Sequence, residues 1–125
     1  MEFQFENGRF FADASFGKLV ISSKDEWGFR PYELFVSAIA GCSGEMLIHL
    51  LRKKRMSFDE LTIQPNVTRE GIAQKIKSIH LHFVIQNIDV TADKLEKIVN
   101  LAMKHCSMAQ TVKGSLELTA SFQTI

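Results

Sequence analysis

Residues 30–56, RPYELFVSAIAGCSGEMLIHLLRKKRM, decide the fold. Pro31 suits a first helical position, because its ring fixes φ and the N–H it lacks would have no partner there. Leu34, Phe35, Ala38, Ile39, Cys42, Met46 and Leu50 follow at three- and four-residue steps, the pattern of a helix with one apolar stripe. Arg52, Lys53, Lys54 and Arg55 end the stretch with positive charge, which the C-terminal end of a helix dipole favours. The pattern predicts a helix of about 24 residues, ~36 Å long. Such a helix spans a small domain, so the other elements must wrap around it.

Upstream, residues 2–6 alternate polar and aromatic side chains, a strand with Phe3 and Phe5 on one face. Asn7-Gly8 is a strong hairpin signal, since both residues tolerate φ > 0. Residues 9–14 return as a second strand, and residues 18–23 read as a third. The segment KDEWGF at 24–29 is a polar loop in which Trp27 caps the core or meets a partner. Downstream, Leu61, Ile63 and Val67 alternate with polar residues as a fourth strand, with Pro65 pointing to an edge or a bulge. Residues 70–74 form a turn. In a fifth strand Ile79, Leu81, Phe83 and Ile85 share one face, and His80, His82 and Val84 share the other. Thr91 suits an N-cap for a second helix with Leu95, Ile98, Val99, Ala102 and Met103 on its stripe, which Cys106 continues. Residues 111–114 read as a turn before a closing strand. This order predicts a single α+β domain over residues 1–125, a mostly antiparallel sheet covered on one face by two helices.

The chain has 125 residues, 46% apolar and 23% charged, with a net charge of +1. Nothing in that balance points to nucleic acid or an anionic membrane surface. The acidic, alternating N-terminus does not read as a signal peptide. Glu33, Glu45 and His49 interrupt the long helix, so no membrane span is expected and the expected location is the cytoplasm. In a reducing compartment Cys42 and Cys106 would not form a permanent disulfide.

Either cysteine could simply fill core space, as free cysteine often does. A reactive Cys42 would need a nearby cation or a specific hydrogen bond, because it lies far beyond the first turn, where the helix dipole acts. Cys106 ends a helix and is expected to be accessible. His80 and His82 lack a third metal ligand at sensible spacing, so no metal site is expected. His105 adjoins Cys106, but neighbouring helical side chains diverge by about 100°.

At these residues the chain resembles the OsmC/Ohr family of small thiol-dependent peroxidases. RPYELFVSAIAGC is similar to that family's Pro-x-Glu-Leu…Cys helix, KIKSIHLHFVIQN to its central strand, and KHCSMAQTVKGSLEL to its second-cysteine segment. The NGRF hairpin is compatible with its N-terminal turn. The resemblance implies an intertwined homodimer with sites at the subunit interface. It implies reduction of organic hydroperoxides, or of hydrogen peroxide, in oxidative stress defence. Cys42 would be the peroxidatic and Cys106 the resolving thiol, with no bound cofactor and with an external dithiol, such as a lipoylated protein, as reductant. Organic-hydroperoxide members activate the cysteine with an N-terminal Arg and a Glu directly after the helix Pro. Here Arg9, or else Arg30, would be that Arg. Tyr32 occupies the Glu position and Glu33 follows it. At ~100° per residue Glu33 points about 180° from Cys42, and Tyr32 about 80°. The pattern fits a less characterised OsmC-like branch. Two other readings use related architecture. One is a non-catalytic dimer holding a small apolar ligand near Phe35, Ile39 and Met46. The other is a hotdog-type thioester hydrolase, which explains neither cysteine.

Overall fold

The computed structural model describes residues 1–125, which form two compact units, Met1–Ser37 and Ala38–Ile125. In the first unit β1 (Phe3–Glu6), β2 (Arg9–Asp13) and β3 (Lys18–Ile21) make an antiparallel sheet in sequence order. Asn7 and Gly8, with φ of 53° and 81°, close the first hairpin. Positive φ at both central residues matches the twist of the flanking strands. Glycine is also needed for space, since a Cβ at Gly8 would fall 2.7 Å from the Trp27 ring. Trp27 thus backs the hairpin turn, and its exposure of 41% excludes a fully buried core role.

Helix α1 (Pro31–Lys53) has 23 residues, within one of the expected length. By length and composition alone it is apolar enough to cross a bilayer, a character that the core helix of a globular domain shares. Its buried face is only partly the expected one, with Ile39 and Leu50 common to both. Val36, Ile39, Ser43, Leu47, Leu50 and Leu51 are buried, whereas Phe35 and Ala38 are exposed and Cys42 and Met46 only half-buried. The helix carries two adjacent apolar faces, and the polar Ser43 hides the inner one from a hydropathy count.

In the second unit β4 (Leu61–Glu70), β5 (Lys75–Ile85) and β6 (Glu117–Thr124) form a separate sheet in the order β4-β5-β6. The α+β class therefore holds, but the sheet is divided in two. β4 pairs antiparallel with β5, while β5 pairs parallel with β6. Parallel neighbours need a crossover of a dozen or more residues. Here it consists of α2 (Ala92–His105) and α3 (Ser107–Val112). The third helix takes in Thr111 and Val112, so the turn expected at residues 111–114 falls slightly later, around Gly114 and Ser115. The chain leaves α2 at Cys106, with φ −75° and ψ 115°, and starts a new helix at the next residue.

Ile79, Leu81, Phe83 and Ile85 on central β5 have no exposed surface, and Leu95, Ile98, Val99 and Ala102 of α2 are buried with them in the core. Thr91 caps α2, its hydroxyl accepting the Lys94 N–H at 3.3 Å. Pro65 lies on edge strand β4, and the bulge falls later, between Thr68 and Arg69. Gly44 brings α1 close to β4, because a Cβ there would fall 2.7 Å from Ile63 Cδ1. Phe83→Ala should cost about 3–5 kcal/mol of unfolding free energy, measured by urea denaturation. Ile72→Ala, at an exposed turn position, should stay within ~0.5 kcal/mol of wild type.

Candidate active site

Three elements of the second unit bring the cysteines together. Cys42 and Ser43 are consecutive on α1, so their side chains diverge by about 100°. Cys106 and Ser107 are consecutive where α2 ends and α3 begins. The two pairs meet crosswise. Cys42 Sγ lies 3.6 Å from Ser107 Oγ, and the Ser43 hydroxyl donates to Cys106 Sγ at 3.4 Å.

The start of α3 explains why sulfur is held there. The first N–H groups of a helix have no intrahelical acceptor. Cys106 Sγ accepts the Ala109 N–H at 3.4 Å, acting as an N-cap where oxygen is the usual acceptor. The Met108 and Ser107 N–H groups serve Cys42. Hydrogen bonding to the charged form favours that form. The Met108 N–H, the Cys106 thiol, the Ser107 hydroxyl and the Ser107 N–H accordingly hold the Cys42 thiol below its ordinary pKa, against an opposing contribution from burial. Of the two routes open to a reactive Cys42, a cation or hydrogen bonds, the second unit provides hydrogen bonds. Cys42 is partly exposed, and Cys106 is fully buried. Burial corrects the expected accessibility of Cys106, which turns inward because the helix breaks at that residue.

The other candidates lie elsewhere. Arg9 belongs to the first unit, where Nη1 donates to the Trp27 carbonyl at 3.0 Å and Nε is buried without a partner. Tyr32, half-buried, has the Arg30 guanidinium 4.8 Å over its ring, and Glu33 is exposed in the first turn of α1. His105 is exposed while adjacent Cys106 is buried. All four ring nitrogens of His80 and His82 are engaged by Thr119, Ser121 and Gln123 at 2.7–3.3 Å. No group of three or more His, Cys, Asp or Glu side chains is placed to hold a metal ion. A cavity of about 520 Å³ between α2, α3 and β6 has neither cysteine in its lining. Sequence reasoning missed Ser43, Ser107 and the N–H groups of residues 107–109. The available signal was the repeated Cys-Ser pair.

The OsmC family model, described as OsmC-like protein, matches residues 23–121. This chain belongs to the OsmC-like family. A crystal structure of a hypothetical protein from Aquifex aeolicus VF5 superposes with a TM-score of 0.87 at 26% identity, over 99% of this chain and 93% of that one. An OsmC-like protein from Mycoplasma pneumoniae gives 0.84 at 14% identity, over 100% and 98%. The organic hydroperoxide resistance protein OhrB of Bacillus subtilis gives 0.66 at 19% identity, over 98% and 95%. At these low identities the last two establish the shared fold alone. No curated protein matches.

In this OsmC-like chain Cys42 should react with iodoacetamide at lower pH than an ordinary thiol, with the rate falling as acid protonates the thiolate. A neutral hydrogen bond is worth about 0.5–1.5 kcal/mol, so Ser107→Ala should slow alkylation at neutral pH by roughly two- to tenfold. Peptide mass spectrometry across a pH series reads both effects.

Proposed function

We propose that this OsmC-like protein reduces hydroperoxides with Cys42 as the peroxidatic thiol and Cys106 as the resolving one. The supporting observation is the partly exposed Cys42, its pKa lowered by hydrogen bonding, beside buried Cys106 in the crosswise Cys42–Ser107 and Ser43–Cys106 contacts. The Cys42 thiolate attacks one peroxide oxygen. The O–O bond breaks and the alkoxide leaves with the bonding pair, taking up a proton to become an alcohol. Cys42 is left as a sulfenic acid, and condensation with Cys106 releases water and forms a disulfide, which guards against further oxidation. An external dithiol, such as a lipoyl group, restores both thiols by exchange in a reducing cytoplasm. The names of family neighbours such as OhrB agree with an organic hydroperoxide as substrate.

A homodimer fits the apolar surface that one copy leaves uncovered. Phe3, Phe5 and Phe10 share one face of the first sheet and are 49%, 66% and 45% exposed. Phe35 and Ala38 lie exposed on the outer face of α1. Exposed apolar surface on this scale marks an interaction site. Arg9, whose Nε–H is buried without a partner, and then Arg30, which stacks on Tyr32, are the activating cations that the family resemblance offers. Tyr32 and Glu33 are the remaining activating candidates. An inert apolar-ligand binder would give no role to the donors around Cys42.

The test is consumption of cumene hydroperoxide with dihydrolipoamide as reductant. Cys42→Ser should fall to the uncatalysed background, and Cys106→Ser should stop after one turnover with a sulfenic acid that dimedone traps. A Cys42→Ser protein that retains wild-type turnover removes the peroxidase reading. Sedimentation of wild type as a monomer removes the dimer.

A further inference from the structure

Ser43 stands where the pattern calls for an apolar side chain. It lies on the inner face of α1 between Ile39 and Leu47, with no exposed surface. A buried hydroxyl is costly unless it is hydrogen-bonded. Its partner is Cys106 Sγ, which also takes the Ala109 N–H, each at 3.4 Å. These two donors, one from α1 and one from α3, fix the direction of the Cys106 side chain. Ser107, which follows Cys106, lies 3.6 Å from Cys42 Sγ through its hydroxyl, so both cysteines meet at one corner, and Cys106 is among the groups that lower the Cys42 pKa.

We propose that Ser43 is a positioning residue of the thiol pair: with the Ala109 N–H, its hydroxyl holds the buried Cys106 sulfur toward Cys42 and stabilises that sulfur as it resolves an oxidised Cys42. This proposal rests on the two-thiol reading above. In the resolving step a Cys106 electron pair forms the S–S bond. The S–O bond of the Cys42 sulfenic acid breaks, and the departing hydroxide takes the Cys106 proton, leaving as water. Charge develops on the Cys106 sulfur as its proton departs, and the Ser43 O–H already points at that sulfur. Without Ser43 one donor remains, Cys106 is less well aimed, and Cys42 stays longer as a sulfenic acid open to a second peroxide.

Ser43→Ala tests this cleanly, because it removes one oxygen and favours the helix. The Cys42 alkylation rate is followed against pH in wild type, Ser43→Ala, Cys106→Ala and the double variant. Ser43→Ala should move the Cys42 profile to higher pH, and this shift should vanish in the Cys106→Ala background, since Ser43 acts through Cys106. Equal shifts in both backgrounds, or none in either, overturn the proposal. With excess cumene hydroperoxide, Ser43→Ala should raise the ratio of Cys42 sulfinic acid to disulfide by roughly two- to tenfold, the span of one lost neutral hydrogen bond. An unchanged ratio overturns it as well. A wild-type Cys42 that ignores peroxide defeats the peroxidase reading, and the alkylation cycle, which needs no peroxide, then decides the role of Ser43.

Discussion

Helix α3 begins with N–H groups that have no carbonyl to bind: the Cys106 sulfur accepts that of Ala109, and those of Ser107 and Met108 lower the Cys42 pKa. That interaction organises the site. It requires the chain to break at Cys106, so that the sulfur can cap a new helix and bind Ala109 N–H. It requires α1 to present Cys42 and Ser43 to the same corner, one facing Ser107 and the other Cys106. The result is a thiol surrounded by donors with no guanidinium or imidazolium among them. Neutral donors act only over short distances, so the reactivity of Cys42 is tied to the position of α3.

The same geometry explains the division of the core. The part of α1 in the second unit spends its inner face there through Leu47, Leu50 and Leu51, with Gly44 close against Ile63. The outer face, with Phe35, Ala38 and half-buried Met46, has less cover. In the proposed dimer, a helix with two apolar faces and a first sheet with exposed phenylalanines would both find cover in a second copy of the chain. The proposed dimer and the proposed chemistry therefore meet on one element, since Cys42 belongs to the less covered face.

Much of the fold was legible in the sequence because its elements have strong periods. The length of α1, the Asn7-Gly8 hairpin, the alternation on β5 and the Thr91 cap all follow from local rules. The division into two sheets and the parallel β5–β6 pair were not legible, because strand order depends on where a crossover lands. The missed helix α3 has six residues and a sulfur cap, too short and too unusual for a periodic signal. The buried face of α1 shares Ile39 and Leu50 with the periodic stripe but turns from it at Ser43, a polar residue that hydropathy does not mark as buried. At the site both cysteines were legible, through their place in a resemblance. The serines that hold them were not, because a serine inside a helix has no local signature that separates a buried hydrogen bond from a solvated one.

The most direct measurement is the intact mass of the wild-type protein after one equivalent of cumene hydroperoxide, under denaturing, non-reducing conditions and followed by peptide mapping. A redox pair predicts the loss of two hydrogens per chain and a linked peptide joining Cys42 to Cys106. Two free cysteines, or an oxygen adduct on Cys42 that never passes to Cys106, would contradict it.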